Sequence, residues 1–219
     1  MYTIGVDLGG TNIAAGIVND NYEIIKKGSV STGAERDAQA IVDDMAALCA
    51  QLIADAGLTK EDIEYIGIAT PGTADSDTGI VKYANNLPFY DFPIADLLAK
   101  ATGIKKVLIE NDANAAAKGE AVCGAAKGHA NSVMITLGTG VGGGIIIDNK
   151  VYSGFNHAGA ELGHIVIQKD GAQCSCGRKG CWEAYSSATG LVNITKDRIL
   201  DARKAGRKTA MEDMIGGDI

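Results

Sequence analysis

The sequence predicts an α/β protein built from two related domains, and two observations lead to this prediction. Strand-like and helix-like patterns alternate along the chain, which is typical of α/β proteins with some parallel sheet. A strand, a glycine loop and a second strand also occur twice. Leu8–Thr11 aligns with Leu137–Gly140, and Ile17–Asp20 aligns at the same offset with Ile146–Asn149. This repeat indicates a duplication.

Apolar alternation predicts each strand, and turn residues such as glycine, proline and aspartate follow. Apolar residues spaced by three, four and seven predict a helix over Ala38–Ala56, closed by Gly57. Further helices are predicted at Ile94–Ala101, from Asp112 to near Gly124, and, in a polar stretch, from Thr195 to Met214. The predicted strands are Tyr2–Leu8, Asn12–Val18, Ile24–Val30, Ile63–Ala69, Val107–Glu110, Ser132–Leu137 and Gly143–Ile147. The resulting domains are residues 1–115, a small α/β domain, and residues 116–219.

Composition narrows the class of protein. The 219 residues are 46% hydrophobic, and 27 acidic against 20 basic residues give a net charge of -7. The absence of a basic stripe argues against nucleic acid and anionic membranes as partners. The sequence has no apolar run of the ~20 residues that a membrane span needs, and a strand pattern stands in place of a signal peptide. We therefore expect a cytoplasmic, reducing location, with Cys49 and Cys123 as small buried apolar residues.

The two glycine loops, Gly9-Gly10-Thr11 and Gly138-Thr139-Gly140, are candidate phosphate sites. Glycine lets backbone N–H groups approach a phosphate closely, and the threonine hydroxyls can donate as well. Asp7, at the end of the strand before the first loop, can hold Mg²⁺ through water. Either loop alone fits a plain hairpin equally well. The second loop also matches a dinucleotide fingerprint, but a strand follows it where that fingerprint needs a helix.

A polar turn, Glu110-Asn111-Asp112, joins a short strand to the alanine-rich helix. Asp112 is predicted at the helix cap, where a carboxylate is favoured by the N–H groups and the dipole. A purely capping role explains Asp112 alone. A carboxylate at the end of such a strand can also accept the proton of a hydroxyl that attacks phosphorus, and the dipole would keep it ionised. Asn111 beside it can both donate and accept, which suits a vicinal diol.

A cluster of cysteines follows a histidine late in the chain. His164, Cys174, Cys176 and Cys181 form a Cys₃His set, which is typical of structural zinc and leaves no position open for a catalytic water. Two other interpretations are a reduced cysteine cluster without metal and a redox pair, although C-x-C differs from the C-x-x-C of thioredoxins. Glu161 and Glu183 flank the cluster, and rigid loops carrying carboxylates bind polar ligands such as sugars.

Taken together, these motifs resemble the ROK family, named for repressors, open reading frames and kinases. They occur in the family's order over residues 2 to about 185. The metal-binding motif identifies the family with high specificity, whereas the glycine loops alone would be weak evidence for it. The matching stretches are Asp7-Leu8-Gly9-Gly10-Thr11-Asn12, Ala69-Thr70-Pro71-Gly72, Glu110-Asn111-Asp112-Ala113-Asn114-Ala115, Leu137-Gly138-Thr139-Gly140, Ala160-Glu161-Leu162-Gly163-His164 and the segment from Cys174 to Glu183.

The resemblance implies an actin-like (ribonuclease H-like) ATPase fold of two duplicated domains and ATP-dependent phosphorylation of a hexose. It implies ATP, Mg²⁺ and a structural Zn²⁺ as cofactors and Asp112 as the catalytic base. One nitrogen of His164 would bind zinc and the other the sugar. The implied sugar-binding residues are Gly72, Asn86, Asn111, Asp112, Glu161, His164 and Glu183. The implied nucleotide-binding residues are Asp7, Gly9, Gly10, Thr11, Asn12, Gly138, Thr139 and Gly140.

The chain departs from the family in length. Family members usually continue by roughly a third more, so the second domain is expected to be incomplete, without a pocket for adenine. We therefore expect this chain to be a weak kinase or none, and to self-associate, for example as a homodimer, through exposed sheet edges.

Other functions stay open at the level of the sequence. They are an N-acetylmannosamine or fructose kinase, the sugar-binding part of a ROK repressor, and a sugar- or zinc-binding module without chemistry. The strand directly after Met1 leaves no room for the repressors' DNA-binding module, and a pure binder has no need of the Asp112 carboxylate. The identity of the hexose depends on the loops around Asn86 and His157 and is not determined.

Overall fold

The computed structural model describes residues 1–211, and the chain divides into two compact units. Unit 1 consists of Met1–Ser132 with Ile145–Gly159, and unit 2 of Val133–Gly144 with the chain from Ala160 onward. The helix that begins at Asp112 lies wholly in unit 1, although the boundary predicted at residue 115 would cut it. The division into domains at that residue stays a prediction.

Strands and helices alternate over most of the described residues, as predicted. The strands are β1 Tyr2–Leu8, β2 Asn12–Val18, β3 Ile24–Ser31, β4 Ile63–Thr70, β5 Thr73–Asp75, β6 Ile80–Tyr83, β7 Tyr90–Phe92, β8 Val107–Asn111, β9 Ser132–Leu137, β10 Val141–Ile147 and β11 Lys150–Val151. The helices are α1 Ala38–Asp55, α2 Ile94–Thr102, α3 Asp112–Cys123, α4 Glu183–Ser186 and α5 Ala188–Lys204. Within residues 1–211, none of these helices is long and apolar enough to cross a membrane.

The main sheet of unit 1 has the strand order β3-β2-β1-β4-β8. β1 pairs antiparallel with β2 and parallel with β4, and β4 pairs parallel with β8, so the predicted parallel component is present. Apolar residues alternate along β1 and are buried, as expected for a strand with one covered face. Helix α1 contributes an apolar face to the same core, with Ile41, Val42, Met45, Leu48, Cys49 and Leu52 buried. The carboxyl ends of β1, β4 and β8 carry the candidate residues Asp7, Gly72 and Asp112.

A second sheet in unit 1, of order β5-β6-β7, was not predicted from the sequence. Its strands are three or four residues long, which is too short for a period of two to become visible. Phe89 and Phe92 stack with ring centroids 4.8 Å apart and close this hairpin. The loop between β6 and β7 carries Asn86.

Three predictions are corrected. β10 begins at Val141, two residues before the predicted start at Gly143, and the Val141 side chain is buried. Helix α5 begins at Ala188, where the Ser187 hydroxyl accepts the Gly190 N–H at 2.9 Å, and ends at Lys204. Residues 212–214 of the helix predicted to Met214 lie outside the described residues. Cys123, expected to be buried, is exposed at the end of α3.

Candidate functional site

Strand β8 leads directly into helix α3 and presents Asn111 and Asp112 at the junction. Asn111 has an extended backbone, and its side-chain oxygen accepts the N–H groups of Ala113 at 3.0 Å and Asn114 at 3.2 Å. Asn111 is therefore the N-cap. The prediction that Asp112 caps the helix is wrong by one residue, because Asp112 already has the helical conformation.

Asn111 and Gly72, both predicted to bind the sugar, lie together in unit 1. The Asn111 side-chain Nδ2 donates to the Gly72 carbonyl at 3.1 Å. Gly72 has a φ of 84°, and a Cβ there would overlap the carbonyl oxygen of Tyr83. Only glycine fits this turn, which fixes the end of β4 against the Asn111 amide.

The carboxyl group of Asp112 is not as readily ionised as the sequence suggested. Desolvation by neighbouring protein atoms raises its pKa, although the residue as a whole is exposed to solvent, and the negative charge of Asp7 raises it further. The N–H of Ala113, 2.8 Å from Oδ1, opposes both effects without outweighing them. The expectation that Asp112 is ionised at neutral pH stays a prediction; desolvation is the largest influence on its pKa and acts against the helix N-terminus. Carboxylates with raised pKa values are typical of catalytic bases.

The first glycine loop is tied to strand β3 and to the loop that carries Asn86. The Thr32 hydroxyl donates to the Gly9 carbonyl at 2.6 Å, and the Thr32 N–H donates to the Thr11 carbonyl at 2.9 Å. The Gly9 N–H closes the turn on the Asn12 carbonyl at 2.9 Å. A Cβ on Gly10 would lie 2.6 Å from the Asn86 Nδ2, so Asn86 lies against the loop.

Two polar residues near Asp112 were not predicted to have a role. Glu110 Oε1 accepts the backbone N–H of Asn111 at 3.0 Å and the side-chain Nδ2 of Asn114 at 3.1 Å. Asn114 is only 2% exposed, and its Oδ1 is buried without a hydrogen-bond partner among the described residues. The available signal was the run of polar residues at the end of a buried strand. These two side chains hold the start of α3 in place.

His157, which the sequence connected with sugar specificity, lies between carboxylates of unit 1. Its Nε2 is 3.4 Å from Asp75 Oδ1 and 3.7 Å from Asp77 Oδ2. Asp75 Oδ1 also accepts the backbone N–H groups of Asp77 and Thr78. This arrangement anchors the His157 loop to the turn between β5 and β6.

In unit 2 the four predicted zinc ligands come together. Cys174 Sγ lies 3.6 Å from His164 Nδ1, Cys176 Sγ lies 3.6 Å from Cys181 Sγ, and the four ligand atoms all lie within 4.8 Å of one another. Tetrahedral zinc with Zn–S bonds of about 2.3 Å separates its sulfurs by about 3.8 Å. The donor set therefore fits zinc, and the His164 atom near Cys174 is Nδ1, which leaves Nε2 outside the cluster.

The segment from Cys174 to Cys181 has the tight backbone that such a cluster requires. Gly177 and Gly180 have φ values of 88° and 81°, and a Cβ on Gly180 would overlap the Gln168 carbonyl. The Cys174 N–H donates to the Arg178 carbonyl at 2.9 Å. A hydrogen bond from the Arg178 backbone lowers the pKa of Cys176 to about 6, which favours the thiolate that binds metal.

The second glycine loop, also in unit 2, is held by Glu183. The Val141 N–H donates to Glu183 Oε2 at 3.0 Å, and a Cβ on Gly140 would overlap the same oxygen. At the other end of the loop the Gly138 carbonyl accepts the Ala188 N–H at 2.9 Å. Glu161 lies directly before the 3₁₀ turn Leu162–His164, and its carbonyl accepts the His164 N–H at 3.1 Å.

The predicted residues thus form two groups. Each group belongs to one unit. In unit 1 the group contains Asp7, Gly9, Gly10, Thr11, Asn12, Gly72, Asn86, Asn111 and Asp112. In unit 2 it contains Gly138, Thr139, Gly140, Glu161, His164, Cys174, Cys176, Cys181 and Glu183.

Comparison with known proteins identifies the family. The ROK family profile matches residues 3–215. The chain belongs to the ROK family. It is 42% identical over 195 residues to a glucokinase of Thermotoga maritima, a match that covers 89% of this chain and 60% of the relative. It is 33% identical over 208 residues to a xylose repressor of Bacillus subtilis, covering 91% of this chain and 52% of the relative.

A solved structure supports the fold. The ROK glucokinase of Streptomyces griseus, solved with glucose and AMPPNP, is similar with a TM-score of 0.78 and 41% identity, over 93% of this chain and 63% of that one. The predicted actin-like ATPase fold is therefore confirmed. The chain spans about three fifths of the length of the glucokinases it matches.

Proposed function

We propose that this protein phosphorylates a hexose at the expense of ATP, with Asp112 as the general base and with the weak turnover expected from the sequence. The observation that carries the proposal is the Asp112 carboxyl at the carboxyl end of β8, partly desolvated and beside Asp7, with a raised pKa. The similarity to glucokinases, one of them solved with glucose and AMPPNP, supports this reaction.

In the proposed reaction Asp112 accepts the proton of the hexose 6-hydroxyl. The oxygen of that hydroxyl attacks the γ-phosphorus, and the bond between the γ-phosphorus and ADP breaks. Phosphoryl transfer depends mostly on positioning, which the neighbouring groups would provide. Asn111, Gly72 and Asn86 would orient the hexose. Asp7 would hold the Mg²⁺ that neutralises phosphate charge, and the N–H groups and hydroxyls of the two glycine loops would bind phosphate oxygens.

The unit 2 residues would bind the hexose through its other hydroxyl groups. Glu161 and Glu183 accept hydrogen bonds from hydroxyls, and the Nε2 of His164 supplies one more polar contact. A zinc ion bound by the Cys₃His set would make the segment rigid and fix the imidazole ring. We expect Glu161→Gln or Glu183→Gln to weaken hexose binding by about 1 to 3 kcal/mol, because Gln keeps some hydrogen bonds but loses the charge that strengthens them. Calorimetry with unchanged affinity in both variants would remove these residues from the site.

The identity of the sugar belongs to the same proposal. Glucose is our first candidate, since the most similar enzymes named above are glucokinases. If the protein is a kinase, N-acetylmannosamine and fructose are alternative substrates. The similarity to a xylose repressor supports a different alternative, in which the protein binds xylose and does not phosphorylate it. The homodimer, the cytoplasmic location and the lack of nucleic-acid binding stay predictions.

The test is a sugar panel with the full chain. ADP and sugar phosphate are measured with Mg²⁺-ATP and glucose, mannose, fructose, N-acetylmannosamine or xylose, while calorimetry measures binding of each sugar. Stoichiometric ADP and glucose 6-phosphate would support the proposal. Binding of xylose with no phosphoryl transfer to any sugar would support the repressor alternative instead.

Asp112→Asn tests the base. We expect kcat to fall by about 10² to 10⁴, because Asn keeps the size and hydrogen bonding but accepts no proton. Hexose affinity should change much less. The matched control is Asp37→Asn, the same change at the exposed N-cap of α1, which should leave kcat unchanged. An Asp112→Asn variant that turns over within a few-fold of the parent would show that another group is the base.

A further inference from the structure

Ser175 lies between two of the zinc-ligand cysteines and is not itself a ligand. Its hydroxyl donates to Glu183 Oε1 at 3.2 Å. Ser175 is exposed, so this contact connects a surface turn of the metal segment to a half-buried carboxylate. Neither the metal set nor the proposed base and sugar contacts explain a hydroxyl at this position.

The other oxygen of Glu183 reaches the second glycine loop. Oε2 accepts the Val141 N–H at 3.0 Å, and Gly140 packs so closely against it that a side chain is excluded. One carboxylate therefore joins the turn at Ser175 to the end of the loop at Val141. Both contacts lie within unit 2.

Two contacts on different oxygens fix the rotation of a carboxylate, whereas one contact leaves it able to turn. A carboxylate has about four lone-pair positions, so Glu183 can hold Ser175 and Val141 and still accept sugar hydroxyls. Without the Ser175 hydroxyl, the plane of the carboxylate would be set by Val141 alone. Both the loop and the sugar contact of Glu183 would then lose definition.

We propose that Ser175 is a positioning residue that orients Glu183 and thereby couples the metal segment to the Gly138–Val141 loop. The kinetic consequence of this inference rests on the proposed function, in which Glu183 binds the hexose and the Gly138–Val141 loop binds phosphate. The structural part concerns hydrogen bonds of this chain only and can be tested without any turnover.

The first test measures the Val141 amide. In Ser175→Ala we expect native-state hydrogen exchange at Val141 to accelerate by about three- to tenfold, the effect of weakening one hydrogen bond. Exchange at Gly9, in the first loop, should stay unchanged, and zinc content should equal that of the parent. Ser175→Thr, which keeps the hydroxyl, should restore slow exchange. Ser186→Ala, a matched change at the exposed last residue of helix α4, should have no effect.

The second test is kinetic. Ser175→Ala should raise KM for both hexose and ATP by about three- to tenfold with kcat less affected, and the effect should vanish in a Glu183→Gln background, because the two residues act as one unit. Unchanged Val141 exchange in Ser175→Ala, or equal effects of Ser175→Ala and Ser186→Ala, would overturn the proposal. A parent protein that neither binds nor phosphorylates a hexose would overturn the proposed function alone, since the exchange measurement still decides the role of Ser175.

Discussion

The two glycine loops share a strand–loop–strand plan but are held by different parts of the molecule. The first loop is held by Thr32, a neutral residue that follows strand β3 next to the loop, and Asn86 lies against it. The second is held by the Glu183 carboxylate, which follows the predicted zinc ligands in the chain. The two loops are therefore held in different ways: the first by a residue next to a sheet strand, and the second by a residue that follows the predicted metal site.

Loss of the metal should separate the two loops most clearly. In Cys176→Ser we expect zinc binding to be lost, because a serine hydroxyl is a poor replacement for a thiolate ligand. Exchange at the Val141 amide should rise by more than about tenfold, because the whole segment that carries Glu183 loosens. Exchange at Gly9 should stay as in the parent. The measurements are metal analysis and amide exchange on chelator-free protein.

The matched control for this prediction is Cys123→Ser, which changes an exposed cysteine of unit 1 that lies outside the cluster. It should keep one zinc per chain and slow Val141 exchange. A parent protein with almost no zinc would contradict the assignment of the Cys₃His set. Equal loosening of both loops in Cys176→Ser would contradict the separation between them.

Alanine at each loop glycine compares the loops directly. A Cβ on Gly140 would displace the Glu183 carboxylate, which holds two hydrogen bonds, whereas a Cβ on Gly10 would push on the Asn86 amide from 2.6 Å. We expect Gly140→Ala to weaken hexose binding by about 1 to 3 kcal/mol, because a charged acceptor loses its partners. Gly10→Ala should cost less, since a neutral side chain can rotate away. Calorimetry that ranks the two variants in the opposite order would show that Asn86 matters more than Glu183.

The sequence predicted those parts of the molecule that rest on local chemistry. Long strands with a period of two, the Cys₃His set and the turn at Asn111-Asp112 could all be read directly. The parts that depend on tertiary contacts could not. The strands of the β5-β6-β7 sheet are too short to show a pattern, and the contact of Glu183 with Val141 joins residues 42 positions apart. The sequence showed the helix dipole, which favours an ionised Asp112, but it could not show the neighbouring protein atoms that raise the pKa of this carboxyl.

The raised pKa of Asp112 has a further consequence for stability, and it gives the smallest effect we predict. The folded protein holds the Asp112 proton more tightly than the unfolded chain does, chiefly through burial and then through Asp7. The stability that this provides is present below the ordinary pKa of 3.8 and is lost as the pH rises through the raised value.

At neutral pH the ionised, partly desolvated carboxylate is therefore a net cost to the stability of the folded protein, which Asp112→Asn removes. We expect this variant to unfold at a slightly higher temperature than the parent at pH 7, by about 1 to 2 °C, because solvent access weakens the effect. The difference should disappear at a pH well below the ordinary pKa of 3.8, where Asp112 is protonated in both the folded and the unfolded protein. The test is to measure the melting temperatures of parent and variant by calorimetry at the two pH values, with Asp37→Asn as the control. A variant that melts below the parent at pH 7 would show that Asp112 stabilises the start of α3 more than its charge costs there.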